Sequence, residues 1–220
     1  MLDALGVVPE NRVFMPADAP HVDDYAPRLR DVVSEGDIVC GFSLGSLILS
    51  HNLDALVKAR AVVLLASNPL PDRPGNRPNR EAVRDRVLSG DAKGWIADNW
   101  STMSASPSES LRDFVVAMAE DTTPLITAQT ELAASRPGAV DALAETDVPV
   151  LLVTGTADRQ TPPAPLIDIA ARARSAHLST VDGLGHFALI EAPDRVAEAV
   201  HQGLTDLAHK IHLRRPVDDA

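Results

Sequence analysis

The chain has 220 residues, 45% of them hydrophobic, and a formal net charge of −11 at pH 7. Its length suffices for one domain with a sizeable core, and its hydrophobic content argues against a disordered chain. The net negative charge and the lack of a cluster of basic residues in the sequence argue against a nucleic-acid partner.

The single cysteine and the N-terminus bear on where the protein works. Cys40 has no cysteine partner within the chain, which favours a reducing compartment, and its place inside an apolar run predicts a small core residue. The opening MLDALGVVPE has neither a basic region nor a long apolar segment, and no apolar run reaches membrane-spanning length. We therefore expect a soluble, cytoplasmic protein with no membrane partner.

Alternating strand and helix patterns run along the chain. Short apolar runs predict strands at 12–15, 37–40, 61–66, 148–153 and 177–181, of which the first and last are the weakest. The three strong runs are nearly continuous, which is typical of parallel strands buried on both faces. Helical patterns lie between or after them at 46–58, 163–174 and 193–210. This order predicts an α/β fold with a mainly parallel sheet flanked by helices.

One region, 69–143, interrupts this alternation. It opens on the proline-rich stretch PLPDRPGNRPNR and contains no strand-like run. Its helical patterns lie at 80–88, 91–100, 108–119 and 127–134, with Ser108 as a helix start and 101–106 as a turn. We interpret 69–143 as a helical cap inserted in a core of 1–68 and 144–211, with a tail at 212–220.

The stretch GFSLG, at 41–45, carries the first candidate for chemistry. It follows the strand pattern at 37–40 and precedes a helical pattern, as a strand-turn-helix elbow with an exposed serine requires. In such an elbow Ser43 occupies a strained position, and a side chain at Gly41 or Gly45 should collide with the turn. The alternative is an ordinary turn serine between two glycines.

Ser43 needs a base, and the base needs a carboxylate. His186 follows the strand pattern at 177–181 in a loop with two glycines, and Asp158 follows the pattern at 148–153. Because the carboxyl ends of parallel strands meet at one edge of a sheet, the order Ser, Asp, His predicts a catalytic triad. A structural histidine and a turn aspartate remain the alternatives. His51, about two helical turns from Ser43, is too far away to be the base.

Three stretches together resemble the α/β-hydrolase superfamily, in particular its capped serine esterases and enol-lactonase-like enzymes. GFSLG is similar to the nucleophile elbow, VPVLLVTGTADRQTP to the strand and loop that carry the acid, and GLGHF to the histidine loop. The resemblance extends from about Arg12 to about Lys210. It implies the α/β-hydrolase fold and a small-molecule substrate.

The same resemblance implies a role for each matching residue. Ser43 is then the nucleophile, His186 the general base and acid, Asp158 the orienting carboxylate, and the backbone N–H of Leu44 an oxyanion donor. A serine at the elbow, where epoxide hydrolases and haloalkane dehalogenases have aspartate, favours acyl chemistry. The expected reaction is cleavage of a small ester, lactone or thioester through an acyl-enzyme, with no cofactor and no metal.

The resemblance also implies missing parts. In the family a third strand lies between those matching 12–15 and 37–40, and its loop carries a second oxyanion donor in an HG-type motif, which has no counterpart here. We therefore expect an N-terminally truncated fold, whose exposed strand edge favours a homodimer. The alternatives are a natural remnant and a specialised short form in which 12–15 pairs directly with 37–40. A pseudoenzyme, or a non-hydrolytic acyltransferase, perhydrolase or lyase, is the alternative to a hydrolase.

A cap of this kind is expected to cover the active site and to line the substrate pocket with apolar side chains. The candidates for substrate binding are Phe42, inside the elbow, and Trp95, Trp100 and Met118 in the cap. Ile96, Met103 and Phe114 are further apolar candidates of the same region. For each cap residue the alternative is a place in the cap's own core.

Overall fold

The computed structural model describes residues 1–212, and a parallel sheet of four strands forms its centre. The strands lie side by side in chain order: β1 Ile38–Phe42, β2 Ala61–Leu65, β3 Val150–Gly155 and β4 Ala176–Val181. All four predicted strands from residue 37 onward are thereby confirmed to within a few residues. The four carboxyl ends point the same way, so the loops that follow them meet at one edge.

Helices cover both faces of this sheet. They are α1 Tyr25–Val32, α2 Leu44–His51, α3 Arg77–Leu88, α4 Ala92–Met103, α5 Glu109–Asp121, α6 Ile126–Ser135, α7 Val140–Glu145, α8 Ala164–Arg172, α9 Ala188–Glu191 and α10 Pro193–His212. Alternate residues of β2 face opposite layers: Val62 and Leu64 pack with α1, α2 and α8, whereas Val63 and Leu65 pack with α10. Two buried layers explain why β2 and β3 are apolar at nearly every position.

The prediction of a strand at 12–15 is wrong. Residues 12–18 run without a sheet partner, and the side chains of Val13 and Phe14 are 79% and 78% exposed. An apolar segment becomes a strand only when a neighbouring strand accepts its backbone hydrogen bonds, and none of residues 1–212 does so here.

As a result, β1 is an edge strand of the described sheet. Ile38 is 46% exposed and Cys40 is exposed as well, so Cys40 is not the small core residue that we predicted. The expectation of burial on both faces holds for β2 and β3 and is wrong for β1. The sequence pattern of β1 matches that of a central strand, but it has a neighbour on one side only.

Between β2 and β3 the described chain is helical. The patterns at 80–88, 91–100, 108–119 and 127–134 became α3 to α6, and the Ser108 hydroxyl accepts a hydrogen bond from Leu111 N–H at the start of α5. Two details differ: α4 continues to Met103, into the turn predicted at 101–106, and α7 was missed because six residues show little periodicity. The division into core and cap stays a prediction.

Two further differences concern the other helical patterns. The helix predicted at 46–58 is divided, because α2 ends at His51 and a 3-10 turn follows at Leu53–Leu56. At the break, the buried Asn52 side chain donates to the carbonyls of Val22 and Ile48, both at 2.8 Å. The tail predicted at 212–220 lies outside the described residues, apart from His212.

The helices of residues 1–212 include no candidate for a membrane span, since none combines the necessary length with the necessary apolar character.

A cluster of charged side chains, Asp72, Arg80 and Arg136, lies where the chain enters the helical region. Asp72 accepts hydrogen bonds from Arg80 Nε at 2.6 Å and Arg80 Nη2 at 2.7 Å, and Arg136 Nη1 lies 3.5 Å from the same carboxylate. The Asp72 and Arg136 side chains are only 8% and 5% exposed. Burial acts to raise the pKa of Asp72, but the hydrogen bonds and charge of its partners lower it to about 2.

We expect Asp72→Asn to lower the free energy of unfolding at pH 7 by about 2 to 3 kcal/mol, because it leaves Arg136 buried beside a neutral group. Since the folded-state pKa lies below the unfolded-state value, this contribution is complete above about pH 4 and is lost as the pH falls through about 2. Urea denaturation across this pH range measures it. The control is Asp85→Asn, which breaks an exposed pair with Arg84 and should cost less than about 1 kcal/mol. Equal losses in the two variants would contradict the prediction.

Candidate active site

Ser43 lies on a strained turn between β1 and α2. Its backbone has φ 49° and ψ −105°, outside the regions that L-residues ordinarily occupy. Two contacts hold the turn: Ser43 N–H donates to Leu65 O at 2.9 Å, and the buried Ser46 hydroxyl lies within 2.7 Å of the carbonyls of Gly41 and Leu65. The strand-turn-helix predicted from GFSLG is present.

The two glycines of this turn differ in their surroundings. A Cβ at Gly41 would lie 2.5 Å from the Gly45 carbonyl carbon and 2.7 Å from Ser46 N, closer than van der Waals contact allows. A Cβ at Gly45 would meet no atom within 4 Å. The expectation of a collision is therefore correct for Gly41 and wrong for Gly45, because the crowding comes from the backbone of α2 passing over the end of β1.

His186 reaches Ser43 from the loop after β4. Its Nε2 lies 2.9 Å from Ser43 Oγ, and its ring is 2% exposed. The loop is held against the one that follows β3: Ala157 N–H donates to Leu184 O at 2.9 Å, and a Cβ at Gly155 would lie 2.1 Å from the same oxygen. Close approach of two loops at one sheet edge thus places the imidazole beside the serine.

Asp158 completes a line of hydrogen bonds. Its Oδ2 lies 3.0 Å from His186 Nδ1, and its Oδ1 accepts the backbone N–H groups of Gln160 at 2.9 Å and Thr161 at 2.8 Å. Burial acts to raise the pKa of Asp158, but the hydrogen bond and charge of His186 and the bonds from Thr161 outweigh it, so the pKa lies below its ordinary value. The carboxylate is therefore ionised at neutral pH.

The structure thus brings together the three residues that sequence order predicted, and it separates His51 from them. His51 Nδ1 lies 2.7 Å from Leu47 O within α2, and its Nε2 faces Pro137 O. Both ring nitrogens lie next to backbone carbonyls, and the histidine that contacts Ser43 Oγ is His186.

The N–H of Leu44 lies next to Ser43 as the first residue of α2. An N–H at this position has no acceptor within its own helix and carries the positive end of the helix dipole. It is therefore suited to bind a negative oxygen that forms beside Ser43.

The candidate substrate-binding residues occupy different places. The Phe42 ring lies 5.3 Å from the His186 ring and 5.7 Å from that of Phe187, measured between centroids, and Trp100 stacks on Phe187 at 6.5 Å. Phe42 and Trp100 therefore adjoin the histidine loop.

The remaining candidates lie in the helical region. Trp95 packs against an apolar cluster of that region, in which Ile96 and Met103 are buried. Met118 and Phe114, both on α5, are 41% and 53% exposed. A substrate contact of Met118 or Phe114 stays a prediction.

Glu191 makes hydrogen bonds that the sequence analysis did not predict. Its carboxylate accepts Gly185 N–H at 3.0 Å on one oxygen, and the Ser104 hydroxyl at 2.8 Å and Ala105 N–H at 3.2 Å on the other. It thereby joins the loop that carries His186 to the segment after α4. Ser104 and Glu191 are 87 residues apart, so no local sequence pattern predicts that they form a hydrogen bond.

Thr161 is the second residue that sequence reasoning missed. Its buried hydroxyl donates to Asp158 Oδ2 at 2.6 Å and lies 3.2 Å from His186 Nδ1. A signal existed in the spacing, because an aspartate in a turn often accepts backbone N–H groups that follow it closely in the chain, and here those of Gln160 and Thr161 bring Thr161 beside Asp158.

Within residues 1–212 no group of three or more His, Cys, Asp or Glu side chains is placed to hold a metal ion.

Comparisons with known proteins show what the chain is similar to. The model of the alpha/beta hydrolase family matches residues 2–199. A pimeloyl-[acyl-carrier protein] methyl ester esterase of Xanthomonas campestris pv. campestris is 31% identical over 179 residues, which cover 74% of this chain and 68% of that protein.

Solved structures show the same fold. A thermophilic esterase from Thermogutta terrifontis aligns with a TM-score of 0.72 at 20% identity, covering 89% of this chain and 75% of its own. An esterase from Exiguobacterium antarcticum aligns with a TM-score of 0.69 at 17% identity, covering 86% and 76%. At these identities the likeness establishes the arrangement of strands and helices alone.

Proposed function

The chain belongs to the α/β-hydrolase family, and from this premise we propose that it is a serine hydrolase that cleaves small esters, lactones or thioesters through an acyl-enzyme. The observation that carries the proposal is the line of hydrogen bonds from Ser43 Oγ through His186 to Asp158. A serine, an imidazole and an ionised carboxylate in this order form a nucleophile, its base and the group that orients the base.

The first half of the reaction acylates Ser43. Ser43 Oγ attacks the ester carbonyl carbon while its proton passes to His186 Nε2, 2.9 Å away. The carbonyl oxygen becomes negative and accepts the N–H of Leu44, and Asp158 stabilises the positive imidazolium. When the tetrahedral intermediate collapses, the alcohol leaves with the proton from Nε2, and the acyl group stays on Ser43.

The second half releases the acid. Water gives a proton to Nε2 and attacks the acyl carbon, and collapse of the second intermediate returns that proton to Ser43 Oγ. The products are a carboxylic acid and an alcohol, or a thiol for a thioester. No redox partner takes part, because bond making and bond breaking balance within the ester and one water.

The substrate proposal rests on the relatives and on the rings at the site. The Xanthomonas relative is named for a methyl ester, so we propose that esters of small alcohols are cleaved here. We further propose that Phe42 and Trp100, which adjoin the histidine loop, contact the apolar part of the substrate. The cytoplasmic location and the homodimer stay predictions.

Covalent labelling tests this function. A fluorophosphonate probe is expected to modify Ser43, because its Oγ lies 2.9 Å from His186 Nε2, the nitrogen that can take its proton. Mass spectrometry locates the label, and hydrolysis of p-nitrophenyl acetate measures turnover. Ser43→Ala should abolish both signals, whereas Ser89→Ala, on a surface turn, should keep them. A folded wild-type protein that takes up no label at Ser43 refutes the proposal.

A further inference from the structure

Resting on the proposed hydrolase, we propose that Thr161 is a positioning residue: its hydroxyl fixes the Asp158 carboxylate and, with it, which nitrogen of His186 carries the proton. The hydroxyl is buried at the junction of these two groups, 2.6 Å from Asp158 Oδ2 and 3.2 Å from His186 Nδ1. The Thr161 hydroxyl contacts Asp158 and His186 Nδ1, whereas Ser43 Oγ contacts His186 Nε2, so the effect of Thr161 on the reaction passes through these two neighbours.

The direction of the hydroxyl proton follows from the chemistry of its partners. A hydroxyl has a single hydrogen to donate, and an ionised carboxylate can only accept. Two oxygens 2.6 Å apart require a hydrogen between them, so Thr161 donates to Asp158 Oδ2. Only lone pairs of the Thr161 hydroxyl then remain to face His186.

This direction fixes the tautomer of His186. Its Nδ1 faces two acceptors, Asp158 Oδ2 at 3.0 Å and Thr161 Oγ1 at 3.2 Å, so Nδ1 carries the ring hydrogen. A neutral imidazole has only one N–H, which leaves Nε2 with a lone pair toward Ser43 Oγ. That is the tautomer in which His186 can take the serine proton.

Thr161 also completes the shell of the carboxylate. Oδ1 accepts the N–H groups of Gln160 and Thr161, and Oδ2 accepts the Thr161 hydroxyl and His186 Nδ1–H. These four bonds use the roughly four lone-pair directions that a carboxylate offers. With every direction occupied, the carboxylate cannot rotate away from the imidazole.

Thr161→Val removes the hydroxyl at nearly constant volume. We expect kcat at neutral pH to fall about 10-fold and KM to change less than about 2-fold. The lost hydrogen bond positions the Asp158 carboxylate and does not bind the substrate. Oδ2 then keeps more negative charge beside His186, which favours the protonated imidazole. The acid limb of the kcat/KM profile should therefore move to higher pH. Thr161→Ser retains the hydroxyl and should restore both kcat and the profile.

A second readout does not depend on turnover. The Nδ1–H proton of His186, followed by NMR, is expected to shift and to exchange faster with water in Thr161→Val, and to keep its wild-type position in Thr161→Ser. Thr130→Val is the matched control, because Thr130 is also 8% exposed but lies in α6; it should change neither the signal nor the profile.

The results distinguish a failure of the Thr161 proposal from a failure of the serine hydrolase proposal. If Thr161→Val keeps the wild-type Nδ1–H signal and pH profile, or if folded Thr161→Ser is impaired as much as Thr161→Val, Thr161 does not position the site. Absence of fluorophosphonate labelling at Ser43 overturns the hydrolase proposal instead, and the NMR comparison still decides the role of Thr161.

Discussion

Replacing His186 with glutamine is expected to lower kcat for ester hydrolysis by about 10⁵-fold or more while the protein stays folded. Among residues 1–212, the His186 imidazole is the group within hydrogen-bond distance of Ser43 Oγ that can take its proton and give it to the leaving alcohol. In triads of this kind, loss of the histidine alone costs about as much as loss of all three residues. Glutamine approximates the volume of the buried ring but cannot exchange protons near neutral pH.

The control for this variant is His51→Gln. His51 lies on α2, which begins directly after Ser43, but its ring nitrogens face backbone carbonyls away from the serine. It should therefore keep kcat within about 3-fold of wild type, as expected of a residue outside the reaction. Initial rates with p-nitrophenyl acetate, together with far-UV circular dichroism, compare the two variants. A folded His186→Gln enzyme with near wild-type kcat would show that another group is the base.

Gly41→Ala is expected to cost about 3 to 5 kcal/mol of stability. The added methyl group would lie 2.5 Å from the Gly45 carbonyl carbon and 2.6 Å from its oxygen. These are backbone atoms of the elbow, so relief requires α2 to move away from the end of β1, where it also packs on the core. The displacement would carry Ser43 away from His186, and we expect activity to be lost with stability.

Gly45→Ala is the matched variant, four residues away in the same motif. An added Cβ there meets no atom within 4 Å, and alanine is favoured over glycine in a helix by up to about 1 kcal/mol. Its free energy of unfolding should equal or exceed that of the wild type. Urea denaturation of the two variants measures the contrast. Equal destabilisation would mean that the turn itself, and not the close approach at Gly41, requires glycine.

Features that depend on local pattern could be predicted from the amino-acid sequence. Continuous apolar runs at β2 and β3 predicted buried parallel strands, because both sheet faces are covered and each residue must be apolar. Since parallel strands present their following loops at one edge, strand order also predicted that Ser43, Asp158 and His186 would meet. The structure places them within two hydrogen bonds of one another.

Whether a segment joins the sheet, and at which position, depends on the strands that pair with it. Residues 12–15 have strand-like composition, yet they form no strand because no partner among residues 1–212 lies beside them, and β1 is an edge of the described sheet for the same reason. Exposure of Cys40 follows from that edge. A residue's own sequence surroundings do not encode which distant segment pairs with it.

Tertiary structure also decided the fine arrangement of the site. Gly41 and Gly45 look equivalent in GFSLG, but only at Gly41 does the backbone of α2 come within 3 Å of an added Cβ. Thr161 and Glu191 owe their importance to partners on other loops. Local periodicity therefore determined the elements and the order of the reactive residues, whereas contacts between segments far apart in the chain decided which side chains hold them in place.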